Sequence, residues 1–193
     1  RIVTRDHGWQ TAGLLTGQIN LPESKYASTE SQQEFHRQLL TRLAALPGLQ
    51  HAALAQSVPY QGFDWNQRFI VEGATPPASG TEPSRAVNLV TPGYFATMGI
   101  TLAEGRGFTE ADLTDGRLPT IINETMAREV WPNESPIGQR IAHPLERKWQ
   151  EVIGVARDVT FTNNFAEPRT AFQTYRILGR EPWRGFSVVL RCA

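Results

Sequence analysis

Val90-Thr91-Pro92-Gly93-Tyr94-Phe95-Ala96-Thr97-Met98-Gly99-Ile100 is the stretch on which the reading of this chain turns. Ahead of it, Ser84 to Val90 alternates apolar and polar residues and suits a strand. Pro92 removes a backbone donor and Gly93 opens the backbone, so the ladder stops there. Tyr94, Phe95 and Met98 recur at helical spacing and give one apolar face. Gly99 ends that turn, and Ile100 and Leu102 begin a new extended run. None of these side chains can act as an acid, base or nucleophile at neutral pH. The stretch is a packing and folding device, and this argues against an enzyme.

The chain has 193 residues, enough for one ordinary domain or two small ones with real cores. Its 19 basic and 19 acidic residues cancel. That balance speaks against nucleic acid as a partner, since nucleic-acid binders carry a basic excess or stripe. The single cysteine, Cys192, allows no internal disulfide and leaves the compartment open. No apolar run approaches the roughly 18–20 residues of a membrane span. The start, Arg1 to Asp6, is charged and has no apolar stretch behind it, so it is not a signal peptide. It also lacks an initiator Met, and the chain stops just after a good strand. It therefore reads as a piece of something larger.

Outward from the central stretch, the pattern places strands at Gly13–Leu21, His51–Val58 and Arg68–Glu72. One good helix lies before Pro47-Gly48. Thr29-Glu30-Ser31-Gln32 fits a capping box for it, and Phe35, Leu39, Leu40, Leu43 and Leu46 form its apolar stripe. Beyond Gly99, Gly105-Arg106-Gly107-Phe108 is a turn. Thr109 to Asp112 starts a short helical turn with Thr109 and Asp112 as a cap pair. Pro119–Ile122 is a short buried strand, and Asn123 caps a helix from Glu124 to about Val130. Pro136 to Ile141 is a turn and strand; Trp149–Val155, Ala171–Tyr175 and Phe186–Arg191 are further strands. The expected fold class is α+β, with mixed sheets, few helices and a natural break near residues 100–107.

The constellations that carry chemistry are missing from the pattern. His7, His36, His51 and His143 are far apart, with no short ligand spacing, and read as surface or partly buried residues. Gly105-Arg106-Gly107 fails both the dinucleotide and the P-loop patterns. Glu110, Asp112 and Asp115 read as caps and solvated charges. The sequon Asn123-Glu124-Thr125 is better explained by capping than by a glycan. No catalytic, metal-binding or cofactor-binding residue is assigned, and no cofactor is expected. One loop invites attention: Tyr60 to Asn66 carries Phe63 and Trp65, candidates for partner contact, with Trp65 the most exposed tryptophan expected. A free-standing carbohydrate- or lipid-binding module is the alternative reading that this loop supports.

An ordered set of stretches carries a resemblance. It comprises Leu46-Pro47-Gly48-Leu49, Val90 to Ile100, Leu102-Ala103-Glu104-Gly105-Arg106-Gly107-Phe108-Thr109, Ile122-Asn123-Glu124-Thr125-Met126-Ala127 and Trp131-Pro132. Ser135-Pro136-Ile137-Gly138-Gln139-Arg140-Ile141, Glu151-Val152-Ile153-Gly154-Val155 and Asp158-Val159 complete it. Together they resemble the extracytoplasmic, periplasmic core domain of MacB-like (FtsX-like) ABC transporter permeases, and the Pro-Gly-Tyr-Phe and Trp-Pro stretches look most like the acidobacterial type. The resemblance implies a porter-like subdomain at 13–100 with 184–193, incomplete at its C-terminus and so exposing apolar surface, and an inserted β-rich subdomain at 101–183. It implies a non-catalytic domain on the periplasmic side of the bacterial cytoplasmic membrane, transmitting conformational change and contacting substrate or partner proteins during efflux or export. The implied partners are membrane-spanning helices of the same polypeptide, a cytoplasmic ATPase domain or subunit, a periplasmic adaptor and a second copy in a homodimer. On this reading Pro92, Gly93, Tyr94, Phe95, Met98, Gly99, Gly105, Arg106, Asn123, Pro136 and Gly138 are structural or hinge residues.

Overall fold

The computed structural model describes residues 7–59, 65–75, 77–114, 116–160, 172–181 and 183–193. In chain order the elements are β1 (Leu14–Asn20), α1 (Thr29–Ala44), β2 (Leu49–Ala55), β3 (Asn66–Arg68), β4 (Ile70–Val71), β5 (Ser84–Val90) and α2 (Tyr94–Met98). After them come β6 (Leu102–Gly105), a 3-10 turn (Glu110–Leu113), β7 (Pro119–Asn123), α3 (Glu124–Val130), β8 (Arg140–Ala142), β9 (Gln150–Ala156), β10 (Gln173–Ile177) and β11 (Gly185–Cys192). The fold is α+β, with three α-helices among the described residues on a mixed sheet.

The sheet runs β1-β11-β2-β5-β10-β7-β9-β8-β4, with β3 on β5 and β6 on β9. The β5–β10 and β7–β9 pairs are parallel, and the remaining pairs are antiparallel. Strand residues alternate between faces, so Ala53 and Ala55 of β2 lie opposite Leu54. Ala53, Ala55 and Val90 join Tyr94, Phe95, Met98, Ile121 and Tyr175 in one core under α2. Leu54, Leu89 and Phe186 form another under α1, with Phe35, Leu39 and Leu40 against them. A third core gathers Phe69, Ile122, Met126, Trp131, Ile141 and Val152 beside α3.

Several expectations need correction. The cap of α1 is Ser28, whose hydroxyl accepts from the Ser31 N–H at 3.2 Å, and not Thr29. Gln32, the expected box partner, turns inward: its side chain donates to the Tyr26 carbonyl at 3.0 Å and accepts from the Trp183 N–H at 2.9 Å. The stretch 68–72 is not one strand, because β3 pairs with β5 while β4 pairs with β8, and buried Phe69 sits at the break. In β5 the polar positions do not face water. The strand is buried on both sides after Ser84, as a parallel pair inside a sheet should be. Leu46, expected in the apolar stripe of α1, lies beyond the end of that helix and is 50% exposed; Leu15 on β1 is 60% exposed.

Candidate functional site

The joint between β5 and β6 is built almost wholly from backbone geometry. Thr91 extends the β5–β2 contact past the last ladder pair. Its N–H donates to the Leu54 carbonyl at 2.9 Å, and its hydroxyl accepts from the Leu54 N–H at 2.9 Å. Half-buried Pro92 follows. Gly93 then adopts φ +89 at the N-cap of α2, and Gly99 adopts φ +66 at its C-cap. Both lie in the left-handed region that favours glycine. The Gly99 N–H reaches the Ala96 carbonyl and the Ile100 N–H reaches the Phe95 carbonyl at 2.8 Å, a Schellman closure. Between the two glycines, Tyr94 and Met98 are fully buried and Phe95 nearly so. Phe95 stands edge-on to Tyr175 at 4.9 Å, and burial pushes both tyrosine hydroxyls up. The N–H and carbonyl of Ser57 are clamped by the side chain of Asn88, at 3.1 and 3.0 Å.

The structure places the other singled-out residues in three further local devices. At Gly105, φ is +71 and a Cβ would clash with the Ile153 carbonyl oxygen, so only glycine fits where β6 crosses β9. Its neighbour Arg106 makes a bidentate pair with Asp112 at 2.6 and 2.8 Å. The same carboxylate accepts the Thr109 N–H at 2.8 Å and hydroxyl at 2.9 Å, closing the expected Thr109–Asp112 cap. The Arg106 guanidinium, with burial opposing and Thr109 assisting, holds the Asp112 carboxyl down at about 2.

Asn123 is fully buried and caps α3 as expected, its Oδ1 accepting from Met126 N–H at 3.3 Å. It does more than cap. The same oxygen accepts the Gln173 N–H at 2.9 Å, and Nδ2 donates to Asp158 at 2.8 Å. Asp158 in turn accepts from the Thr125 N–H and hydroxyl at 3.0 and 2.6 Å. A side chain so enclosed offers no amide for glycan attachment. In the third device, buried Pro136 and exposed Gly138 (φ +85) form a tight turn closed by Gln139 N–H to Pro136 carbonyl at 3.0 Å.

Phe63 lies outside the described residues. Trp65 is half-buried: it stacks on Trp183 at 5.5 Å, and the Arg176 guanidinium lies 5.6 Å from its ring centroid. Arg176 also pairs with Glu181, whose carboxyl burial pushes up. Two charged or titratable groups were invisible to pattern reading. His36, expected at the surface or partly buried, is 5% exposed on the inner face of α1, and burial pushes it down to about 4. Arg85 is 1% exposed, donating to Gln150 at 3.1 Å beside the Phe69 ring, and burial lowers it to about 9. Arg191, by its pattern only the end of a strand, has its guanidinium spent on backbone carbonyls. Among the described residues no three metal-capable side chains come together, and no helix is long and apolar enough to cross a membrane.

The fold and these devices define a mixed α+β domain whose distinctive residues hold backbone in place. Residues 18–191 match the family model of the MacB-like periplasmic core domain, and the chain belongs to that family. A curated relative, an uncharacterized ABC transporter permease, YknZ, of Bacillus subtilis, is 32% identical over 79 residues, 41% of this chain and 19% of the relative. The matched part thus spans about a fifth of that protein. Among solved structures, the periplasmic region of MacB from Actinobacillus actinomycetemcomitans is similar with a TM-score of 0.61 and 16% identity, over 100% of this chain and 79% of that one. The extracellular domain of the noncanonic ABC-type transporter YknZ from Gram-positive bacteria gives 0.56 and 15%, over 93% and 83%. At such identities the likeness concerns the fold.

Proposed function

We propose that this domain is the extracytoplasmic part of a MacB-like ABC transporter permease, and that it is a non-catalytic transmitter of conformational change. Its partners on this reading are membrane helices of the same polypeptide and a cytoplasmic ATPase domain or subunit, with a second copy and a periplasmic adaptor in the assembled transporter. It stands on the periplasmic side of the cytoplasmic membrane and touches substrate or partner proteins during export. Residues 13–100 with 184–193 form the porter-like part and 101–183 the insert.

The observation that carries the reading, beside family membership, is the α2 joint. Its two left-handed glycines bracket one buried helical turn, which on this reading lies where the chain leaves the porter-like part for the insert. Elements that absorb domain motion are often a few such terminal residues. The test is Gly99→Ala in the full-length transporter. It forces a Cβ into the left-handed region, at a cost of roughly 1–2 kcal/mol, which a domain of this size should survive. Transport should fall while ATP hydrolysis continues. Unchanged transport by a variant whose joint is measurably altered would refute the role.

A further inference from the structure

The last turn of α2 presents carbonyls that no residue within the helix can satisfy. Gly99 and Ile100 reach back to Ala96 and Phe95. The other two carbonyls are met from outside. Met98 accepts the Gln10 N–H at 2.9 Å, and Thr97 accepts the Arg191 Nε–H at 2.6 Å. So one bond comes from the segment before β1 and the other from the end of β11.

Arg191 then closes the circuit. Its remaining two nitrogens donate to the carbonyls of Ala12 at 2.7 Å and Gln10 at 2.9 Å, from a site only 9% exposed. A planar guanidinium with several fixed N–H directions can satisfy three carbonyls at once; an ammonium on a flexible stem cannot do so in the same geometry. Further ties hold the same segment. The Cys192 N–H donates to the Gly13 carbonyl at 2.9 Å, and the Thr160 N–H to that of His7 at 3.2 Å. Gly8 adopts φ +78 directly against the Asp158 carbonyl, where a Cβ would not fit.

We propose that Arg191 is a latch that locks residues 7–13, the end of β11 and the C-terminal end of α2 into one unit. A displacement of the segment before β1 is then delivered to Gly99, and a displacement of β11 to the same place. Arg191 is a positioning residue: it acts through the three carbonyls it holds. The latch is a property of the domain itself and stands whether or not the domain serves a transporter.

Residue-resolved amide hydrogen exchange on this chain tests it. In Arg191→Met the amides of Gln10, Leu14, Gly99, Ile100 and Cys192 should exchange faster together, on the order of ten- to a hundred-fold, as expected for lost charged hydrogen bonds and local opening. Amides of β7 and β9 should keep their wild-type rates. Arg191→Lys keeps the charge but not the fork, and should restore only part of the protection. Gln10→Pro removes the Met98 bond from the opposite side at an exposed position. It should speed exchange at Gly99, Ile100 and Cys192, and it decides the matter if Arg191→Met does not fold. The latch is overturned by an equal acceleration at every amide, by no change at Gln10 and Gly99, by full rescue with lysine, or by wild-type rates in Gln10→Pro.

Discussion

Mild acid should loosen this domain through one residue. His36 lies on the buried face of α1, perpendicular to the Phe186 ring at 4.7 Å, and neither of its ring nitrogens has a hydrogen-bond partner. Burial pushes it down from 6.5 to about 4. Because the folded value lies below the unfolded one, the unfolded chain binds more protons between them, and stability must rise with pH across that interval. The contribution of neutral His36 is complete above pH 6.5 and disappears as the pH falls toward 4. A gap of this size is worth about 3 kcal/mol in full, of which about 2 kcal/mol is gone at pH 5. Urea unfolding at pH 7.5 and pH 5.0 measures it, with His36→Leu as the reference that cancels every other titration. The wild type should lose about 2 kcal/mol more than the variant. At pH 7.5 the leucine variant should be at least as stable, since it removes two unpartnered polar atoms from the interface. Identical pH dependence in the two proteins would refute the reasoning.

Other perturbations follow from the same geometry. Gly48 and Gly105 share a left-handed backbone, at φ +78 and +71, but a Cβ meets nothing at Gly48 and the Ile153 carbonyl at Gly105. Gly48→Ala should cost about 1 kcal/mol and Gly105→Ala clearly more, by thermal or urea unfolding. Asp112→Asn should destabilise by about 1–2 kcal/mol, the amount being limited by the exposure of Arg106. The wild-type carboxylate contributes fully above pH 3.8 and loses its contribution as the pH falls toward 2. Asn123→Ala should cost at least about 2 kcal/mol, because it removes the α3 cap and also strands the buried Gln173 N–H; Asn123→Asp should keep the cap but lose the donor to Asp158.

Much of the architecture was legible because it depends on local signals. Glycine and proline marked the ends of β5 and α2, the Thr109–Asp112 pair marked a capped turn, and Asn123 announced α3 at its true start. What escaped depends on distant partners. Gln32 looked like half of a capping box, yet its side chain serves Trp183, 151 residues away. Arg85 and Asn88 are polar residues on opposite faces of β5, and nothing local foretells that β10 would arrive in parallel beside β5 and bury both. The apolar stripe of α1 was legible, but the inward turn of His36 among its polar neighbours was not. For the joint, sequence reading found the glycines and aromatics that shape it. It had no means of finding Arg191, whose three acceptors are carbonyls that every residue possesses.

The place of β11 between β1 and β2 also governs how the domain comes into being. Every ladder bond of β1 goes to β11, whose first residue, Gly185, follows Asn20 by 165 positions. At ordinary rates of synthesis the first strand waits on the order of ten to thirty seconds for its partner. Any product that stops before residue 185 leaves both β1 and β2 without the strand that joins them. Such products cannot close this sheet, and closure of so long a loop makes this pairing a slow, late event. The eight-residue strand β11 therefore acts as a check on assembly: β1 and β2 can be joined, and so shielded from proteases, only after synthesis has passed residue 192.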